Sequence, residues 1–270
     1  MIGNVPLELR PATDFSTREL AAVFTATYRD YLVPFSVDEA TLDYMIDAFD
    51  LLPTHSLVAV ESGSAVGLAN LGARGERTWV GGIGVVPERR GTGIGEELMR
   101  GLFARARDLG AREMLLEVII ENEPAVALYK KLRFRVTRQL EVLSLAPDAT
   151  GGPAEEIPVE TALALIAARR DGAEPWQRDD ATVANLEQRD PPPAALVSGD
   201  AAAVYRAEGG RVSLLQAAGG ERALCDLAAA LRAKGSVTAA NYPTGGAVAA
   251  ALRLIGAEVA LRQYEMVCAL

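Results

Sequence analysis

Metal and disulfide chemistry have almost nothing to draw on in this chain. Its 270 residues include two cysteines and one histidine, too few ligands for a zinc site and a poor basis for a disulfide framework. Cys225 and Cys268 stand in apolar surroundings, which predicts reduced core thiols. No apolar run approaches the length of a membrane span, and Met1-Ile2-Gly3-Asn4-Val5-Pro6 lacks the basic and apolar regions of a secretory leader. Acidic residues outnumber basic ones, 36 against 27, and the net charge of −9 divides almost evenly between the halves. That balance argues against a nucleic-acid-binding face and is compatible with a cationic, amine-bearing partner or with solubility alone. A chain that is 50% hydrophobic and carries charge throughout reads as a soluble, cytoplasmic, globular protein. Its length asks for one large or two small domains.

What is present centres on one run, Pro87-Glu88-Arg89-Arg90-Gly91-Thr92-Gly93-Ile94-Gly95-Glu96-Glu97-Leu98. It follows an apolar strand, Trp79 to Val86, and leads into an amphipathic helix reaching Leu109. Glycines on alternate positions at a strand-to-helix turn let backbone N–H groups approach a ligand without obstruction. Those amides, the positive end of the helix dipole and the Arg90 side chain together favour a diphosphate. Two common alternatives fail. A Walker loop needs Lys-Ser or Lys-Thr after its last glycine, where this chain has Glu96 and Glu97, and a dinucleotide loop belongs near the first strand of its unit. A second segment, Glu121 to Phe134, follows the strand Met114 to Ile120. Asn122 is placed to cap a helix that Pro124 begins, and Asn122 and Tyr129, seven residues apart, face the same side.

Together the two segments resemble the GNAT family, the acetyl-CoA-dependent N-acyltransferases. The family's Arg/Gln-x-x-Gly-x-Gly/Ala signature is met by Arg90, Gly93 and Gly95. Its Asn…Ala…Leu-Tyr…Phe helix is met by Asn122, Ala125, Leu128, Tyr129 and Phe134. Arg133 departs from the family's usual glycine before the Phe, at a helix end away from the chemistry. The resemblance implies an α/β (α+β) fold with a mixed, mostly antiparallel central sheet flanked by helices, in the order β-α-α-β-β-β-α-β-α-β.

The first half can be read in that order. Leu7 to Arg10 alternates like a strand. Ser16 with Glu19, and Ser36 with Glu39, are capping-box patterns for helices over 17–28 and 37–49. Two strands, 56–61 and 66–71, flank the hairpin turn Ser62-Gly63-Ser64, and a last strand or strand pair lies over 136–145. The breaker-rich stretch 146–153 reads as a linker, dividing a catalytic domain (1–145) from a second domain (154–270). The second half echoes the first. Ala125-Val126-Ala127 returns as Ala247-Val248-Ala249, each after an Asn-x-Pro turn, and Arg138-Gln139-Leu140-Glu141 as Arg262-Gln263-Tyr264-Glu265. Residues 154–270 are therefore expected to be a diverged, degenerate copy of the same fold. Its strand-to-helix turn, Ala217 to Arg222, is too short for a phosphate loop, and Ala251 stands against Tyr129.

The resemblance further implies acetyl-CoA as co-substrate and no metal. The strand ending at Val86 would splay from the strand at 114–120 and receive the pantetheine arm as an added strand. The cofactor contacts expected are Ile83, Val85, Val86, Arg90, Gly91, Thr92, Gly93, Ile94, Gly95, Asn122 and Tyr129. An N–H near Ile83 to Val85 would polarise the thioester carbonyl. Tyr129 would be the acid protonating the departing sulfur, and Asn122 would bond the pantetheine, orient its helix, or serve as a plain cap. The base stays open between Glu117, a water relay and no dedicated group. His55 has a suitable intrinsic pKa but stands at a strand start, and Asp38, Glu39 and Asp43 read mainly as solvated helix carboxylates. The acceptor is a small-molecule or peptide amine, with no nucleic acid or membrane partner, and oligomerisation is left open. The segment 29–35 should overhang the acceptor pocket; Tyr28, Tyr31, Phe35, Tyr44 and Phe49 would line it or pack under helices. Trp176 would anchor the second domain or project into a cleft between domains. A non-catalytic acyl-CoA sensor, or an interaction protein, is the alternative function.

Overall fold

The computed structural model describes residues 6–33, 35–170 and 172–270; the leader reading on Met1 to Val5, and Pro34 of the overhanging segment, lie outside the described residues. The chain divides into two compact units, Met1–Val136 with Met266–Leu270, and Thr137–Glu265. Each is a mixed, mostly antiparallel sheet with helices. The division falls inside two strands, β6 (Arg135–Leu145) and β12 (Glu258–Ala269), and not in the stretch 146–153. That stretch is pinned to the second unit. Asp148 pairs with Arg232 at 3.6 Å, and a Cβ at Gly152 would stand 2.3 Å from the Asp226 carbonyl oxygen.

In the first unit, strands β1 (Glu8–Pro11), β2 (Leu57–Glu61), β3 (Ser64–Arg74), β4 (Arg77–Val85) and β5 (Glu113–Ile119) lie in that order, and the end of β12 lies beside β5. The hairpin β2–β3 turns at Ser62 and Gly63, both at positive φ (52° and 77°), the backbone a tight two-residue hairpin requires. Helix α1 (Thr17–Thr27) starts on the expected capping box, Ser16 with Glu19. Helix α2 (Glu39–Phe49) is capped by Asp38, whose carboxylate accepts from Thr41 N at 2.8 Å, and not by Ser36. Val37 explains the difference. It is buried, and its N–H and C=O both bond Thr25 Oγ1 of α1, at 2.9 Å each, so the chain stays tied down until Asp38. Successive residues of β3 fix the layers. Leu68 packs into the cluster of Phe24 (α1) and Leu42 (α2), and a Cβ at Gly67 would meet Leu98 and Ile94 of α3 (Ile94–Asp108). Helix α4 (Glu123–Lys131) follows β5.

The second unit repeats the element order: β7 (Glu155–Ile157), α5 (Val159–Ala167), α6 (Asp180–Glu187), β8 (Ala194–Ser198), β9 (Ala201–Glu208), β10 (Arg211–Ala218), α7 (Glu221–Arg232), β11 (Ser236–Pro243), α8 (Ala247–Leu254) and β12. Its strands are ordered β7-β8-β9-β10-β11-β6-β12 over a core that includes Leu143, Tyr205, Leu227 and Leu252. The turn from β10 into α7 is two residues, Gly219 and Gly220. The second Asn-x-Pro element differs from the expected helix cap. Asn241 sits inside β11 at positive φ (59°), where the pairing with β6 shifts register, and the N-cap of α8 is Gly246. Trp176 is buried within this unit, and both cysteines are free.

Candidate active site

The site is a gap in the first sheet. β4 runs parallel to β5 only over Arg77–Trp79 against Glu113–Leu115; beyond Trp79, β4 keeps its pairing with β3 alone, as far as Val85 opposite Gly67. Gly81 and Gly82 stand against the single residue Asn70, a bulge with Gly82 at φ 136° that bends the strand away. Close packing from α1 holds the bend: a Cβ at Gly82 would come within 2.7 Å of the Phe24 ring, and one at Gly84 within 2.3 Å of Thr27 Oγ1. Val86 N–H donates to Val66 O at 2.9 Å. Strand alternation therefore turns the backbone groups of Ile83 and Val85 toward the gap, while Val86 is committed to β3.

At the mouth of the gap lies the glycine run. Gly91 and Gly93 adopt φ of 76° and 93°, and a Cβ at either would meet no protein atom within 4 Å; it would project into open cleft, the space a close-lying ligand needs. Gly93 is the N-cap of α3 and brings no side chain to it, leaving first-turn N–H groups, those of Ile94 and Gly95 included, for an anion. A Cβ at Gly95 would stand 3.6 Å from Leu128 Cδ2, an ordinary contact, so alanine is tolerated there as in the signature. Thr92 Oγ1 donates to Arg89 O at 2.7 Å. Arg90 lies beside the run. Its guanidinium donates to Val85 O (3.2 Å), Thr27 O (3.0 Å) and Arg29 O (2.7 Å), so it straps the loop to the end of α1 at the rim of the cleft.

Asn122 caps α4, accepting from Ala125 N at 3.3 Å, and its Nδ2 donates to Tyr31 Oη at 3.0 Å. Cap and orienting roles coincide, and Tyr31, expected to line the acceptor pocket or pack under helices, bonds Asn122 at the candidate site. The sequence carries no signal for this bond, since its partner lies 91 residues away. Tyr28 and Tyr31 meet edge to face, centroids 4.9 Å apart. Tyr129, on α4, is buried, and burial drives its pKa far above the ordinary tyrosine value, with Tyr28 and Tyr31 adding to the rise. Burial also raises Tyr31, opposed by the Asn122 hydrogen bond and the Arg90 charge. Tyr129 therefore holds its proton at neutral pH.

These groups enclose a cleft of about 800 Å³, with a smaller cavity of about 90 Å³ that shares Tyr28, Tyr31, Ile83, Asn122 and Tyr129 with it. Glu117 lines the smaller cavity, and its Oε2 accepts from Trp79 Nε1 at 2.7 Å. The remaining candidates lie elsewhere. His55 is in a turn with its Nδ1 on Thr54 Oγ1 (2.9 Å), and Asp38, Glu39 and Asp43 are exposed on α2. Phe35 is 43% exposed beside Phe24 and Tyr28, and Phe49 meets both Tyr44 and Trp79 edge to face. Among the described residues no group of His, Cys, Asp and Glu could hold a metal, and no helix is long and apolar enough to cross a membrane.

Comparison with known proteins meets this geometry. Over 77 residues, 28% of its length, the chain is 34% identical to a Bacillus subtilis (strain 168) protein provisionally named [ribosomal protein bS18]-alanine N-acetyltransferase. It spans 51% of that relative, about half its length. In fold, the chain is similar to the crystal structure of a GCN5-related N-acetyltransferase from Sphaerobacter thermophilus (TM-score 0.73, 17% identity, covering 98% of this chain and 97% of that one). It is also similar to one from Kribbella flavida (TM-score 0.58, 19% identity, covering 97% and 71%). Residues 20–134 match the Acetyltransferase (GNAT) family, a match that contains the gap, the glycine run and Tyr129. Over those residues the chain is similar to that family.

Proposed function

We propose that the chain is an acetyl-CoA-dependent N-acetyltransferase that moves an acetyl group to a primary amine by direct attack in a ternary complex. The observation that carries this reading is the convergence of three features on one cleft: the unpaired edge of β4, the two positive-φ glycines at its mouth, and Tyr129 on α4. Acetyl-CoA supplies an activated acyl group and a thiolate leaving group. Gly91, Gly93 and the first turn of α3 bind the diphosphate, and the edge of β4 receives the pantetheine as an added strand. A backbone N–H of Ile83 or Val85 polarises the carbonyl, and Tyr129 gives its proton to the sulfur. Asn122 and Tyr31 hold α4 and the α1–α2 segment in register. Glu117, which lines the smaller cavity, takes the amine's proton, directly or through water.

The acceptor is an amine small enough at its reacting end to share the 90 Å³ cavity; the N-terminus of a peptide beginning with alanine, as in the name of the B. subtilis relative, is one such group. The second unit is a diverged copy that keeps no phosphate loop and has no tyrosine on α8 (AVAAALRL), so each chain carries one acetyl-CoA site. The test is release of free thiol from acetyl-CoA with a panel of small amines and an alanine-initiated peptide. Tight acetyl-CoA binding with no thiol release from any acceptor would favour the sensor reading instead.

A further inference from the structure

The second unit has a cavity at the place that corresponds, by element order, to the first unit's cleft. It measures about 140 Å³ and lies among the ends of β10 and β11 and the first turn of α8. Four guanidinium groups, of Arg138, Arg169, Arg170 and Arg178, line it against one carboxylate, Glu174. Three are balanced: Arg138 by Glu265 (2.8 Å), Arg170 by Asp180 (2.8 Å) and Arg178 by Glu174 (2.6 Å). Arg169, exposed at the rim, has no ion pair among the described residues. An excess cation converging on a cavity is notable in a chain whose net charge is −9.

Two independent features point to a ligand of the opposite sign. Gly246, the N-cap of α8, offers no side-chain cap, so the first-turn amides beside the cavity lack the partner that Asn122 gives α4 and suit an anion. Two polar atoms of the lining residues, Arg178 Nε and Tyr242 Oη, are buried without a hydrogen-bond partner among the described residues, a costly arrangement that a ligand or water would relieve. The opposite wall, with Ala217, Ala218 and Val248, is apolar. The volume is far below the 800 Å³ of the first unit's cleft, and the turn at Gly219 and Gly220 has no room for a diphosphate cradle.

We infer that this cavity binds a small carboxylate, its charge on the Arg169 side and the α8 N-terminus, and its short hydrocarbon part against Ala217, Ala218 and Val248. Calorimetric titration of the full chain with acetate, isobutyrate and benzoate, and with inorganic phosphate and isobutylamine as comparators, tests it. At least one carboxylate should bind saturably at one per chain, more tightly than phosphate, while isobutylamine does not bind. Saturating acetyl-CoA should leave that binding intact. Arg169→Glu, at an exposed position that leaves the fold alone, should weaken the carboxylate roughly tenfold or more, the worth of one charged hydrogen bond. Tyr242→Phe, unfolding like the parent, should show whether the buried hydroxyl contributes; carboxylate affinity should fall. No saturable binding of any carboxylate, tighter binding of phosphate, displacement by acetyl-CoA, or unchanged affinity in both variants would overturn the assignment.

Discussion

Both units part their sheets in the same way. β10 runs parallel to β11 only over Arg211–Ser213 against Ser236–Thr238, and a bulge between Leu214 and Gln216 follows, as one follows Trp79 in β4. In the first unit the opened edge faces a cleft. In the second, the unit's own side chains take it up. Arg178 Nη1 donates to Leu215 O at the bulge (3.2 Å), its guanidinium lies 3.5 Å above the Tyr242 ring, and Gln216 Nε2 donates to Arg178 O (2.6 Å). The parted sheet is thus a property of the scaffold, and what differs between the units is the connection from strand to helix and the residues on the next helix.

The comparison breaks first, and hardest, at Tyr129. Tyr129→Phe keeps the ring and its packing, and kcat should fall roughly 10²–10⁴-fold with acetyl-CoA affinity little changed, the span of a positioned general acid. Steady-state kinetics with chemistry shown to be rate-limiting decides this; an unchanged kcat would reduce α4 to the level of α8.

The second unit's filling is tested by Arg178→Met. It leaves Glu174 buried without its cation and should cost about 3–5 kcal/mol in denaturant unfolding. Burial raises the Glu174 pKa above the usual 4.5, with Arg178 opposing. Protonation then favours the folded state, so the stabilisation is complete below the unfolded value and is lost as pH rises through the folded one. The deficit of Arg178→Met should therefore be largest near neutral pH and shrink toward pH 4.5. A deficit independent of pH would show that Glu174 is not the group left stranded.

Gly93→Val sharpens the contrast between connections. A β-branched residue at φ 93° is strained and fills the cradle, so acetyl-CoA binding should be lost, with cooperative unfolding retained. The companion measurement is stoichiometry: titration of the parent should give close to one acetyl-CoA per chain, and two equivalent sites would erase the distinction between the units. The smallest effect concerns the helix start that was read correctly. Ser16→Ala removes half of a capping box and should cost about 1 kcal/mol, measurable by thermal unfolding.

What was legible in the sequence is what is decided within a few residues. The Ser16 cap, the Ser62-Gly63 turn, the glycine run and the Asn122-to-Tyr129 spacing are local patterns with local causes. The strap that Arg90 makes to the carbonyls of Thr27 and Arg29 is not legible in the sequence, because they lie 63 and 61 residues away. Asp38 displaces Ser36 as a cap for a nearer but still non-local reason, the hold on Val37 by Thr25, which lies in the preceding helix. Over residues 155–208 the sequence declares no individual strand or helix. Their Ala-rich strands, such as AALVS and AAAVYRAE, alternate too weakly to declare a buried face. The Asn241 echo misled because an identical residue pair can make a bulge in one context and a cap in another.

The placement of Met266–Leu270 in the first unit also governs the order of assembly. Leu270 N–H bonds Arg112 O at 2.9 Å and Cys268 Sγ lies 3.5 Å from Leu132 O, so β5 gains its last neighbour only after residues 137–265 have been synthesised. At ordinary elongation rates that is a wait of roughly ten seconds, with an incomplete sheet edge exposed to nascent-chain pairing and to chaperones. The half of the protein that is made first is the half whose sheet is completed last.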